Sequence, residues 1–234
     1  MSDYKYLLLE KDPVEHIARL TINRPDRRNA LTDEATEEMG HALEDVADDD
    51  NMRVLILTGA GGSFCAGADL NTLKGGSDPG VLTSENSDDI RRGFRGPHKM
   101  ILAVQRMEKP VIAMIDGTAV GAGFDLACAC DIRIATTKAR FMVAYIRVGL
   151  FPGFGGTWLY PRTLGSMGKA AELLFTGDFL EADEAYRLGF LNRLVEVEDL
   201  ESTTMEMAKK IAAGPPVAMR LSKLMLYKGL EFDL

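Results

Sequence analysis

Five apolar positions, Ala35, Met39, Ala42, Leu43 and Val46, recur at helical spacing and predict an amphipathic helix with one packed face. Thr32 stands where an N-cap is needed, and Asp33 and Glu34 suit the positive end of the helix dipole. The acidic run Asp48-Asp49-Asp50 ends this helix as solvated surface. Upstream, residues 4–10 and 16–23 read as two strands around a turn at Lys11-Asp12-Pro13. Downstream, Val54-Leu55-Ile56-Leu57-Thr58 is a continuous apolar run, consistent with a strand buried on both faces. A glycine-rich crossover, GAGGSFCAGADL, follows it. The same order returns at residues 111–115, with DGTAVGAG and the small-residue run FDLACACD behind it, and more weakly at 132–135. Strand, glycine-rich loop and helix in succession predict an α/β fold.

Between the first two units lies GGSDPGVLTSENSDD, a polar stretch that reads as a mobile loop able to close over a substrate. Helices are expected over residues 91–107, through Trp158 and Leu164, over 167–175, within ADEAYRLGF and over 199–212, with a final strand at 191–195. A last helix begins after Gly214-Pro215-Pro216. The expected organisation is a core domain of residues 1–195 that carries the site. A helical region, 196–234, is read as incomplete at its end and engaged in assembly.

Composition narrows the function. Of 234 residues 46% are hydrophobic, enough for one sizeable core. The net charge of -8 comes with scattered cations, without the basic stripe of a nucleic-acid module. No stretch approaches the ~20 apolar residues of a membrane span, and the N-terminus lacks the pattern of a signal peptide. Cys65, Cys128 and Cys130 pair poorly with the scattered His16, His41 and His98 for a metal site. They read as buried free thiols of a reducing compartment, the cytoplasm.

Two places set small residues just after apolar strands: Gly67-Ala68-Asp69-Leu70 and Gly121-Ala122-Gly123. Small residues there permit close strand and helix packing. They also leave a backbone N–H free at a helix start, and two such donors on one carbonyl oxygen make an oxyanion hole. Neither segment has dinucleotide or P-loop spacing, and no GxSxG elbow is present.

In TINRPDRRNALT, VLILTGAGGSFCAGADL, KPVIAMIDGTAVGAGFDLACACDIRIAT, VGLFPGFGGTWLYPR and LLFTGDFLEADEAYRLGFLNRLV, in this order, the chain resembles the crotonase family, also called the enoyl-coenzyme A hydratase/isomerase family. The likeness runs from Tyr6 to Lys223. It implies a crotonase-like ββα superhelix with C-terminal helices, assembled as a homotrimer or a hexamer. It also implies action on acyl-CoA thioesters without metal or permanently bound cofactor, coenzyme A entering as part of the substrate. Carried over by position, the oxyanion donors are the N–H groups of Ala68 and Ala122. The coenzyme A contacts implied are Arg24, Arg27 and Arg28 toward phosphates, each of which could equally be ordinary surface. Asn29, Ala30 and Leu31 would line the pantetheine, with Ala66, Asp69 and Leu70 near the adenine and thioester ends.

Two positions depart from the family pattern. Typical hydratases place two glutamates across the substrate double bond, and here Asp125 and Tyr145 stand in those places. Asp125 could cap its helix or do acid/base work, for which its ordinary pKa of ~3.9 must rise. A phenol at 145 is a poor base at neutral pH but can orient water or donate a hydrogen bond. The leading expectation is an atypical enoyl-CoA hydratase or dehydratase. The alternatives are a thioester or carbon–carbon bond hydrolase and a non-catalytic coenzyme A-binding homologue. Phe151, Phe154 and Trp158 are candidates for an acyl pocket, with a plain core role equally open for Trp158.

Overall fold

The computed structural model describes residues 4–69 and 95–229. The expected mobile loop, the first residues of the helix expected over 91–107, and residues 230–234 lie outside this range.

Strands β1 (Leu7–Asp12) and β2 (Ile17–Ile22) form an antiparallel hairpin. Its turn lies at residues 13–16, later than the expected Lys11-Asp12-Pro13. The Asp12 carboxylate accepts the N–H groups of Val14 and Glu15 at 2.9 and 3.0 Å, fixing the reversal after itself. Four parallel strands extend the sheet: β3 (Val54–Gly59), β4 (Val111–Ile115), β6 (Ile132–Thr136) and β9 (Arg193–Val195), in the order β1-β2-β3-β4-β6-β9. A second sheet joins β5 (Thr118–Val120), β7 (Arg140–Met142) and β8 (Phe179–Glu181). That sheet was not anticipated, since three-residue strands carry almost no periodicity.

The helices are α1 (Asp33–Asp48), α2 (Arg95–Arg106), α3 (Ala122–Ala129), α4 (Gly156–Thr163), α5 (Met167–Thr176), α6 (Ala182–Arg187), α7 (Leu200–Ala212) and α8 (Pro216–Lys228). Helix α1 starts as expected, with the Thr32 hydroxyl accepting the Ala35 N–H at 3.1 Å. Its end differs: Asp49 is held by Lys11 at 3.0 Å and accepts the Asn51 N–H, so this carboxylate braces a turn instead of standing free in water.

The continuous apolar runs have a simple cause. Leu55 and Leu57 of β3 and Val111, Ala113 and Ile115 of β4 face the main core with α1, α2 and α3. The alternate residues Val54, Ile56, Ile112 and Met114 face a second core closed by Leu200, Ala208 and Ala212 of α7. A strand packed on both faces has no polar side. Helix α8 is tied down by polar bonds: the Lys223 ammonium donates to Asp131 Oδ2 at 2.7 Å and to the Lys109 carbonyl at 3.0 Å. The Tyr227 hydroxyl takes Asp131 Oδ1 at 2.8 Å.

Strand β5 runs almost directly into α3 and packs against it, and room is scarce there. A β-carbon on Gly123 would lie 2.2 Å from the Cys65 carbonyl oxygen and 2.7 Å from its Cβ. Gly123→Ala is therefore expected to destabilise by ~1–3 kcal/mol or more, read as a lower urea midpoint with unchanged m value. Gly168→Ala, whose new carbon has only the Ser166 hydroxyl at 3.9 Å, serves as the control and should be neutral or slightly stabilising. Equal midpoints for the two variants would contradict the packing.

Candidate active site

The loop after β3 is threaded between two neighbours. Cys65 pairs with Ala119 of β5, its N–H reaching the Thr118 carbonyl at 3.0 Å while its own carbonyl accepts the Val120 N–H at 2.9 Å. Two residues later Leu31 donates to the Gly67 carbonyl, and its own carbonyl accepts the Asp69 N–H, both at 2.8 Å. These pairings employ the residues on either side of Ala68. Gly67 makes the crossing possible with a φ of +92°. A β-carbon there would sit 2.6 Å from the Val120 carbonyl oxygen and 3.5 Å from the Ala122 nitrogen. The two proposed donors thus belong to adjoining turns.

Ala122 is the first residue of α3, so no helical carbonyl claims its N–H. Among the described residues, neither the Ala68 nor the Ala122 N–H has a backbone acceptor. Ala68 is partly exposed and Ala122 buried.

Asp125 lies one turn into the same helix and is wholly buried. It does not cap: the N-cap is Gly121, without a side-chain bond. The Tyr145 hydroxyl donates to its Oδ2 at 2.5 Å, and the Tyr160 hydroxyl donates to its Oδ1. Burial in apolar surroundings raises its pKa to about 7, while the two phenol hydrogen bonds, which favour the carboxylate, act in the opposite direction. Burial, and then the neighbouring carboxylate, push the hydroxyls of Tyr145 and Tyr160 well above the ordinary phenol range, so both act as donors at neutral pH. Tyr145 comes from the 3-10 turn Ala144–Val148, and its ring carbon Cζ stands 3.9 Å from where a β-carbon on Gly121 would be. The phenol therefore borders the turn that presents the Ala122 N–H.

Tyr160 was missed in the sequence. The one trace of it is Gly156, four residues earlier on the same helical face, leaving room for a ring.

The residues matched to coenzyme A contacts fare unevenly. Arg27 and Arg28 are exposed. Arg24 is committed internally: its guanidinium donates to the Ala30 carbonyl, pairs with Asp69 at 3.1 Å and lies 4.9 Å from the Tyr6 ring centre. The side chains of Asn29 and Leu31, matched to the pantetheine side, are turned into the protein. Asn29 is fully buried; its Oδ1 accepts the Arg24 N–H at 2.9 Å and its Nδ2 donates to the carbonyls of Ala60 and Ser63 at 2.8 and 2.6 Å. Leu31 belongs to the main core. Any ligand contact from these two would be through main chain. Ala30, Ala66 and Asp69 are partly exposed beside the loop, and Leu70 lies outside the described residues.

Phe154 packs into the core, and Phe151 is largely exposed. Trp158 lines a cavity of about 580 Å³ with Ile101 and Leu102 of α2 and Leu224 and Tyr227 of α8. The lining includes none of Ala68, Ala122, Asp125 and Tyr145. Cys65, Cys128 and Cys130 are buried free thiols. Among the described residues, no group of three or more His, Cys, Asp or Glu side chains is placed to hold a metal ion.

A family model described as enoyl-CoA hydratase/isomerase matches residues 13–234. A short-chain-enoyl-CoA hydratase of Clostridium acetobutylicum is 40% identical over 230 residues, covering 97% of this chain and 83% of its own. A 1,2-epoxyphenylacetyl-CoA isomerase of Escherichia coli is 37% identical over 207 residues, covering 88% of this chain and 77% of its own. The crystal structure of an enoyl-CoA hydratase from Bacillus anthracis superimposes with a TM-score of 0.88 at 35% identity, over 98% of this chain and 85% of that one.

Proposed function

From the premise that the chain belongs to the enoyl-CoA hydratase/isomerase family, with its ββα-superhelix fold and acyl-CoA thioester chemistry, we propose that it hydrates an enoyl-CoA thioester, or dehydrates the 3-hydroxyacyl thioester, with Asp125 as its single acid/base. One observation carries this reading. A wholly buried carboxyl with a pKa of about 7 sits one turn below a helix start whose first N–H is unclaimed.

The N–H groups of Ala68 and Ala122 hold the thioester carbonyl oxygen, which becomes an enolate oxygen as the reaction proceeds. Each such donor is worth ~2.7–4 kcal/mol to the transition state, because it is in place before charge develops. The Asp125 carboxylate takes a proton from water while the water oxygen bonds to C3. It then returns that proton to C2, so water is added and the enzyme is unchanged. A pKa near the working pH lets one group serve both steps. Tyr145 steadies the carboxylate through Oδ2. Coenzyme A supplies binding energy remote from the reacting carbons, with Arg27 and Arg28 available to its phosphates.

A second reading, double-bond isomerisation, is favoured by the presence of one carboxyl: moving a proton from C4 to C2 needs a single base. Incubation of 2-enoyl- and 3-enoyl-CoA thioesters in ¹⁸O-labelled water separates the two. Label is expected at C3 of a 3-hydroxyacyl product. Conversion of the 3-enoyl substrate without label, with the 2-enoyl substrate untouched by hydration, would replace hydratase by isomerase.

We also read the protein as a homotrimer or hexamer. Val217, Leu221, Leu224 and Met225, at i, i+4, i+7 and i+8, leave α8 with an exposed apolar stripe suited to a subunit contact. Light scattering should give three or six times the chain mass, and a stable monomer would exclude it.

The pH profile is a further expected outcome. The chemistry starts from the carboxylate in either direction, so kcat/KM should rise with pH, level off above about 7, and lack a falling limb from a second carboxylic acid. Tyr145→Phe removes a hydrogen bond that favours the charged form. The rising limb should move to higher pH, and the rate at pH 7 should fall about tenfold.

A further inference from the structure

Tyr160 has no place in the chemistry described so far, yet its hydroxyl is spent on Asp125. We propose that Tyr160 is a positioning residue: it holds Asp125 Oδ1 from α4, on the side opposite Tyr145, so that the carboxyl keeps one orientation through both proton transfers. The inference rests on the reading of Asp125 as the acid/base.

The local architecture is built around this bond. Tyr160 is wholly buried, and its ring stacks on Phe124 with centroids 5.1 Å apart and an interplanar angle of 18°. Phe124 is the residue before Asp125, so the stack aligns the phenol with the helix that carries the carboxyl. Gly156 leaves the space. A β-carbon there would lie 2.5 Å from Tyr160 Cζ and 2.6 Å from Asp125 Oδ1, so any side chain at 156 would be driven between the two. A phenol required only to fill the core would not need its oxygen on a carboxylate, since phenylalanine fills nearly the same volume.

The carboxyl's other neighbours leave the phenols as the groups that set its behaviour. The thiols of Cys128, on α3 itself, and Cys65, on the loop after β3, are nearby and neutral. Burial raises Cys128 strongly and Cys65 to about 12. Among the described residues, α2 and β5, which also pack on α3, add no charged group to those acting on Asp125. Donation from Tyr160 favours the carboxylate and opposes the effect of burial.

The test is Tyr160→Phe, which keeps the ring and its stacking. The rising limb of kcat/KM should move to higher pH by about one unit or more, with KM for the thioester unchanged on the alkaline plateau. A limb that coincides with that of the wild type overturns the proposal. A stability measurement keeps the result independent of turnover. A carboxyl raised in the folded state contributes stability that is complete at low pH and is lost as pH rises through the folded pKa. Removing the Tyr160 donor should extend that loss, so the gap in unfolding midpoint between wild type and Tyr160→Phe should widen from pH 5 to pH 9. In an Asp125→Asn background the gap should be constant with pH. A gap that is the same at every pH in both backgrounds makes Tyr160 merely structural and overturns the proposal. If the gap widens as expected but the wild type turns over no acyl-CoA thioester, the link between Tyr160 and Asp125 stands. The acid/base reading, and the positioning role with it, then fails.

Discussion

Asp125→Asn is expected to lower kcat by roughly 10²–10⁴-fold, the usual worth of a general acid/base, and to make the protein more stable at pH 8. The second effect follows from where the carboxyl is buried. Its pKa is about 7 when folded against ~3.9 when unfolded, so the native state binds more protons between these values. Stability is then complete below ~4 and is lost as pH rises through about 7, by an amount approaching ~4 kcal/mol at most. Asparagine has no charge to bury. Its carbonyl can accept from one tyrosine while its amide donates to the oxygen of the other. Urea unfolding at pH 4 and pH 8 should show nearly equal stability for the two proteins at the lower pH and a gain for the variant at the higher. Unchanged kcat would remove Asp125 from the chemistry. A variant destabilised equally at both pH values would contradict the cost of ionising it.

The other large effect is expected from Ala122→Pro. Proline removes one main-chain donor, and the first position of a helix is where proline is best tolerated, because its N–H is not needed by the helix. The variant should fold, as judged by circular dichroism and the unfolding midpoint. It should lose about 10²–10³-fold in kcat, the worth of one oxyanion donor. Ala122→Gly, which keeps the N–H, should retain most activity. A folded Ala122→Pro protein with full turnover would put the oxyanion site elsewhere.

The long features of this fold were legible because they are local or repetitive. The apolar face of α1 and the runs at 54–58 and 111–115 announce themselves through burial alone. The small sheet of β5, β7 and β8 was hidden because its strands are three residues long and pair across long separations, Phe141 with Leu180 for instance. At the candidate site, Asp125 and Tyr145 could be found by their positions in a motif. Their contact could not, since it depends on how a 3-10 turn meets α3. Tyr160 was invisible for the same reason. Asn29 shows what a motif does not reveal: its side chain is consumed by the chain's own carbonyls.

That use of Asn29 bears on how a ligand would be received. Residues 28 and 29 both adopt left-handed backbone, at φ of +50° and +59°, and one amide side chain ties this turn to the loop that ends at Ala68. The Arg24–Asp69 pair adds a second tie between the same segments. The loop is therefore ordered before anything binds. Ordering interfacial side chains on association typically costs ~0.5–1.5 kcal/mol apiece, and here the protein meets much of that cost when it folds. Binding at this edge should be accompanied by little loss of chain entropy, and mutations at Asn29 should weaken affinity by loosening the receptor before the ligand arrives.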